Sequence, residues 1–186
     1  MEFFPALQLS LFGGWLLLIW IWVLQPTILL IMPKEVRSRL LDRSTFTKNQ
    51  KILTGVSKLI VLIVQILIIL TPLAIGSIEF LIGISLFILG IVGEVIAVIN
   101  FKMTPLDEPV TRGFYKISRN PQETMLTIVF FGICFAVGSW FLIFFFGFSR
   151  IFNHFHILAQ EEACLKEYGD DYREYMKKVP RYFLFF

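Results

Sequence analysis

MLTIVFFGICFAVGSWFLIFFFGFSRIFNHFHILAQEE, residues 125–162, is the stretch that decides the fold. Its first part, 125–148, is long enough for one membrane span, which needs about 20 apolar residues. Gly138-Ser139 sits in mid-run, however, and apolar character continues past Arg150 to Leu158. The reading adopted is two shorter helices, 121–137 and 140–160, joined by a tight turn. Both then carry polar residues at the same membrane face, whereas a single helix would put Arg119 and Arg150 on opposite faces. The second helix ends in Arg150, Asn153, His154, His156, Gln160, Glu161 and Glu162. Helical spacing brings Arg150, His154 and Glu161 near one stripe. Ionisable groups at membrane depth are costly and face a bundle interior or a wet cavity, so this stretch reads as the wall of a polar pocket open toward one surface. The plainer alternative is an interfacial helix end whose charges reach water by snorkelling.

The rest of the chain follows the same grammar. Its 186 residues are 56% hydrophobic and 17% charged, against about 25% charged in an average soluble domain. Mean hydropathy is +0.75. Residues 9–32 form a first span, kinked at Gln25-Pro26. Residues 33–51 are a polar loop, 52–75 a second span, Gly76-Ser77 a tight turn, and 78–101 a third span with Glu94 and Asn100 in its second half. Residues 102–119 hold Pro105, Pro109 and Gly113 and make a shaped loop. Pro121 suits the first position of the next helix. Glu2, with no Lys or Arg ahead of the first apolar run, does not look like a cleavable signal. Cys134 and Cys164 fall in different segments and suggest neither a disulfide nor a metal pattern.

Charge placement supports five spans. Lys and Arg occur in the two polar loops, the tail and the helix halves leading to them, and in neither tight turn. That is the positive-inside pattern, with the N-terminus outside and the C-terminus cytoplasmic. The fold expected is an all-α integral membrane protein, a bundle of five transmembrane helices with a cytoplasmic C-terminal amphipathic helical tail, 161–186. The membrane would be the plasma membrane of a prokaryote or the endoplasmic reticulum of a eukaryote. The tail reads as two short helices broken at Gly169, with Tyr168, Tyr172 and Tyr175 facing a membrane interface and VPRYFLFF lying back as an anchor.

Two polar clusters lie on the cytoplasmic side, and the helical hairpin brings them together. One is GFYKISRNP, 113–121; the other is the 150–162 stretch. Their union offers Tyr115, Arg119 and a helix N-terminus facing His154, His156, Glu161 and Glu162. An arginine at a helix N-terminus suits a carboxylate or phosphate, and paired carboxylates suit an ammonium group. A site with both favours a zwitterion such as an amino-acid moiety.

At this point the chain resembles the isoprenylcysteine carboxyl methyltransferase family and the related phospholipid N-methyltransferases. The matching elements are Gly113-Phe114-Tyr115, Arg119-Asn120-Pro121, Glu161-Glu162, Tyr168-Gly169, Tyr172, Tyr175 and Val179-Pro180-Arg181. The resemblance covers roughly 105–181 and implies S-adenosylmethionine as methyl donor. It places Arg119, Asn120 and Pro121 in the pocket for that donor and Glu161 and Glu162 at its amino group or polar moiety, with Gly90 and Gly93 as counterparts of a glycine pair that touches it in phospholipid methyltransferases; Tyr115 and His156, from the two polar clusters, complete the expected donor site. Glycines in a membrane helix otherwise serve packing. Asn120 stands where many members have His, and Glu123 where Tyr is common.

Methyl transfer from a sulfonium gains from a dry, well-positioned site. The acceptor expected is a lipophilic small molecule or lipid arriving through the bilayer. A carboxylate acceptor, as in a prenylcysteine, needs only a nearby cation, for which Arg150 is the candidate; the alternative is that Arg150 pairs with Glu94. A lipid amine must lose a proton, which points to His154, Glu123 or Glu162 as base. His154 and His156 do not share a helical face, so no metal site is expected. Nothing calls for a nucleic acid or an obligatory protein partner. Two other readings remain compatible with the sequence: a non-catalytic transporter or scaffold subunit, though no inverted repeat is visible, and a nicotinamide-dependent membrane reductase.

Overall fold

The computed structural model describes residues 1–183, and the described chain is helical throughout with no strand. The helices are α1 (Trp15–Ile31), α2 (Lys34–Leu41), α3 (Lys48–Ile69), α4 (Ile78–Lys102), α5 (Pro121–Ala136) and α6 (Trp140–Lys178). Their starts follow local chemistry. Thr47 and Gln50 form a reciprocal capping box on α3. The Ser77 and Ser139 hydroxyls cap α4 and α6, accepting from Phe80 and Leu142 N–H groups. Pro121 opens α5, where its missing N–H costs nothing.

By length and composition α3, α4 and α6 are able to cross a membrane, while α1 and α5 are apolar but shorter. Large apolar side chains such as Leu59, Leu62, Ile66, Ile82 and Leu89 point outward. Such a surface suits lipid rather than water, and the chain is an integral membrane protein.

The first span is shorter than the sequence suggested. Its helix begins at Trp15, not Leu9. Residues before it run across the ends of the two helical hairpins, held by backbone hydrogen bonds: Glu2 N–H to the Gly138 carbonyl (2.9 Å), Trp140 N–H to the Glu2 carbonyl (3.0 Å) and Leu73 N–H to the Phe12 carbonyl (2.8 Å). Residues 20–24 form a π-helical turn just ahead of Pro26. The second span ends at Ile69, before Pro72, rather than at Ile75. The 33–51 loop contains a helix of its own, α2.

The last span and the tail are one element. Helix α6 runs without interruption past Gln160 and bends only at Gly169, whose φ of 55° is a left-handed conformation suited to glycine. Tyr172 and Tyr175 do not face a membrane interface. They are buried with Tyr115, Val110 and Val179 in a second core where the tail meets the 103–120 loop, and Tyr175 Oη donates to the Tyr115 carbonyl (2.6 Å). Of the closing segment, residues 184–186 lie outside the described residues.

The most extensive helix pair is α4 with α5, and α3 with α6 is next. The first pair meets backbone to backbone. A Cβ on Gly83 would collide with the Ala136 nitrogen, and one on Gly132 would lie 2.6 Å from the Phe87 nitrogen. Small residues at membrane helix crossings permit this approach. Phe130 and Phe146 stack at 5.0 Å between centroids, inside a core with Leu18, Val64, Ile68 and Leu142.

Candidate functional site

The segment Ser118-Arg119-Asn120, just ahead of α5, holds the end of the chain. The Arg119 N–H donates to the Pro180 carbonyl (2.9 Å). Arg119 Nη1 donates to the Met176 and Val179 carbonyls (2.9 and 2.8 Å), and Ser118 Oγ to the Arg181 carbonyl (2.9 Å). Glu161, on α6, lies between Arg119 and Arg181. Its Oε1 accepts from Arg119 Nε and Asn120 Nδ2, both at 3.0 Å. Its Oε2 accepts from Arg181 Nε (3.0 Å), Arg181 Nη2 (2.9 Å) and Arg119 Nη2 (3.3 Å). A carboxylate offers about four lone-pair sites, so Glu161 is fully occupied. Side-chain exposure is 4% for both Arg119 and Glu161; the pair exists out of water, where each charge depends on the other.

A second polar group lies deeper. Glu123, on the first turn of α5, pairs with Arg150 of α6 (3.3 Å) and accepts from Asn153 Nδ2 (3.0 Å). Arg150 therefore does not pair with Glu94. Glu94 of α4 is 3% exposed and accepts from two neutral donors on α1, Trp20 Nε1 (2.9 Å) and Gln25 Nε2 (2.5 Å).

One cavity of about 950 Å³ joins these features. At the loop end its wall includes Arg119, Asn120, Gln122, Gln160, Glu161 and Tyr172; further in it includes Trp20, Glu94, Val98, Glu123 and Leu126. Helix α2 covers one side. Arg39 fastens it, donating to the Pro105 and Glu108 carbonyls (2.9 and 2.5 Å) and lying 5.3 Å from the Phe101 ring and 5.4 Å from the Tyr168 ring. Such cation–π contacts hold an arginine in place without neutralising it. Gly113 shapes the turn that leads into the wall residue Tyr115: Asn100 Oδ1 accepts the Phe114 N–H (2.8 Å) and lies where a Cβ at 113 would have to stand. Burial, reinforced by Tyr175, pushes the Tyr115 phenol far above its ordinary value, so this wall group stays neutral.

The candidate residues divide accordingly. Tyr115, Arg119, Asn120, Glu123, His156 and Glu161 line the cavity. Pro121 is buried at the start of α5 and stands behind the wall. Glu162 is exposed on the far side of α6 and accepts from Gln50 Nε2 (3.0 Å). Arg150 stands behind Glu123, and His154 Nδ1 bonds Tyr182 Oη (2.9 Å) away from the cavity. His156 sits by Thr54 Oγ1 (3.5 Å) and the Phe46 ring. Gly90 and Gly93 face Val129 and Met125 of α5, a packing contact.

Three wall residues escaped the sequence reading. The sequence places Trp20 and Gln25 only as parts of the first span, with Gln25-Pro26 as its kink. Gln122 adjoins the Arg-Asn-Pro segment, and that adjacency was the available signal. Its Nε2 is buried in the wall and, among the described residues, has no hydrogen-bond partner. Buried amide donors are normally satisfied, and this one has no partner within the described protein.

A family model described as phospholipid methyltransferase matches residues 66–171. The match takes in Glu94, the Arg-Asn-Pro segment, Gln122, Glu123 and Glu161, and leaves out α1, α2 and the Arg181 strap. No curated protein and no solved structure matches the chain. Spanning more than half of the sequence and the greater part of the cavity wall, the match establishes that this membrane protein belongs to the phospholipid methyltransferase family.

Proposed function

We propose that the chain transfers a methyl group from S-adenosylmethionine to a lipophilic acceptor inside this cavity, with five membrane-crossing segments and the α2, 103–120 and tail elements on the cytoplasmic side. The observation that carries the reading is one cavity of about 950 Å³ that runs from the polar loop end, past Glu123 and Glu94, to apolar side chains such as Val98 and Leu126. A water-soluble donor and a lipid acceptor need such a meeting point. Every Lys and Arg lies at the loop end or in a helix half leading to it, as the positive-inside rule asks of a cytoplasmic face.

The residues present fit the donor. Gln122 lies in the wall with its amide nitrogen unpaired, and a turn of that side chain into the cavity would offer a donor to a carboxylate or hydroxyl. Gln160 and His156 add polar groups to the same wall, and Tyr115, Tyr168 and Tyr172 add aromatic surface. When bound, the donor supplies an electrophilic methyl: the acceptor lone pair forms the new bond to carbon while the C–S pair returns to sulfur. The chain contributes position and dryness. In this reading the filled Arg119–Glu161–Arg181 cluster does not grip the donor's ammonium group; it sets the shape of the floor against which the donor lies. Glu123, held by Arg150 and Asn153, is the cavity carboxylate placed to take up the proton released by an amine acceptor.

Calorimetric titration of detergent-purified protein with S-adenosylhomocysteine tests the reading. Saturable binding is expected, weakened about tenfold or more in Gln122→Ala by loss of one buried hydrogen bond. Tight binding of a nicotinamide cofactor instead would favour a reductase, and binding of neither would favour a non-catalytic protein.

A further inference from the structure

Lys51, Gly55 and Lys58 fall at helical spacing on one stripe of α3. All are exposed, and so are Ile52, Leu59 and Leu62 beside them. Lys58 lies about 15 Å into the span, counted from Lys48. Among the described residues no ion pair involves either lysine. The carboxylates of the surrounding elements are already committed. Glu123, which acts on Lys58 electrostatically, is held by Arg150 and Asn153. Glu162 accepts from Gln50, and Asp42 accepts the Ser44 N–H. Arg43, between α2 and α3, adds a like charge within electrostatic reach of Lys58. A basic group facing lipid at this depth is costly unless it meets a counter-charge.

Gly55 keeps room between the two lysines. Glycine is a poor helix former, and in a membrane helix it ordinarily serves close packing, as Gly83, Gly90, Gly93 and Gly132 do here. A Cβ at Gly55 would meet nothing within 4 Å, so packing does not account for it. Side chains on a helix lean toward its N-terminus, which directs Lys58 over Gly55 toward Lys51 and the loop end. Two ammonium groups then share one open gap, bordered by the exposed apolar side chains of Ile52, Leu59 and Leu62. A charged headgroup above acyl chains has the matching profile.

We propose that Lys51 and Lys58, reinforced by the charge of Arg43, bind the phosphodiester headgroup of a net-anionic membrane lipid on the outer face of α3, apart from the cavity. Basic groups at the cytoplasmic side of membrane helices draw anionic headgroups. A zwitterionic lipid would bring a further ammonium group into a cluster that already has positive charge in excess; a net anion supplies what the cluster lacks. All of these residues precede the segment 66–171 matched by the family model. The site therefore belongs to the part of the chain outside that match, and it does not rest on the methyl-transfer reading.

The test titrates the full chain, purified in neutral detergent, with dioleoylphosphatidylglycerol or dioleoylphosphatidylcholine and counts bound lipid by native mass spectrometry. Neither headgroup has an amine that can take a methyl group. Wild type is expected to hold phosphatidylglycerol at least about tenfold tighter than phosphatidylcholine. Millimolar inorganic phosphate is expected not to displace it, since the acyl chains carry part of the affinity. Lys58→Met leaves an apolar side chain facing lipid, and Gly55→Leu fills the gap; each is expected to lower the preference by about fivefold. Equal binding of the two lipids by wild type, or a preference undiminished in either variant, overturns the proposal. Displacement by phosphate also overturns it, by marking a site for a free anion. So does displacement by S-adenosylhomocysteine, which would put the lipid in the cavity. If one variant does not fold, the other decides.

Discussion

Replacing Glu161 with Gln should open the end of the chain rather than merely weaken a ligand. The substitution removes the charge shared by Arg119 and Arg181 and leaves Arg119, 4% exposed, without a counter-ion. Adding the five donor contacts one by one, at about 1.5–3 kcal/mol for each charged hydrogen bond, overstates the cost. Arg181 is 20% exposed and can swing to water, and Arg119 keeps the Met176 and Val179 carbonyls. Breaking a buried ion pair costs about 3–5 kcal/mol, and the lower end applies here. The cheapest response is local: the strap 176–181 lifts and takes Arg181 into solvent. The Arg119 amide, bonded to the Pro180 carbonyl, reports this directly. A loss of about 3 kcal/mol should speed its hydrogen exchange on the order of a hundredfold, while amides in the middle of α4 and α5 stay protected. Unchanged exchange at Arg119 in Glu161→Gln would refute the view that this carboxylate fastens the floor of the cavity.

Other outcomes follow from single contacts. Gly132→Val puts side-chain atoms where the Phe87 backbone now lies; it should part α4 from α5 and lower stability by about 1–3 kcal/mol, measured by unfolding in mixed micelles, and near-neutral behaviour would contradict the packing described. Arg39→Ala removes the fastening of α2 over the cavity; proteolysis within residues 33–47 should accelerate and S-adenosylhomocysteine should dissociate faster, whereas an unchanged off-rate would remove α2 from the ligand's path. Tags on the two termini should label from opposite sides of the membrane, as an odd number of spans requires; same-side labelling would undo the topology.

The helical segments were legible because their causes are local. The capping Ser77 and Ser139, Pro121 at a helix start and the long apolar runs all act within a turn or two, and the helices fall close to where these signals put them. The start of α1 was not legible: residues 9–14 are apolar enough for a span, and only their backbone pairing with distant turns keeps them out of the helix. The pairing of charges was harder still. The sequence offered Glu94 as the partner for Arg150, and that Glu123 takes its place depends on how α5 meets α6. Adjacent residues also parted company. Glu161 and Glu162 look equivalent in the chain, yet a helix turns by about 100° per residue, so one enters the cavity wall and the other faces Gln50. Tyr172 and Tyr175 read as interface residues because their partners, Val110 and Tyr115, come from a loop whose path the sequence does not reveal.

The central claim is methyl transfer within a membrane cavity, and its most direct test is chemical. Protein reconstituted in lipid vesicles is incubated with S-adenosylmethionine carrying a tritiated methyl group and with a total bacterial lipid extract, and label is counted in the organic phase. The account predicts time-dependent labelling of extractable lipid, suppressed by excess S-adenosylhomocysteine and reduced in Gln122→Ala. Organic-phase counts no higher than those of heat-inactivated protein, from preparations that still bind S-adenosylhomocysteine, would contradict it.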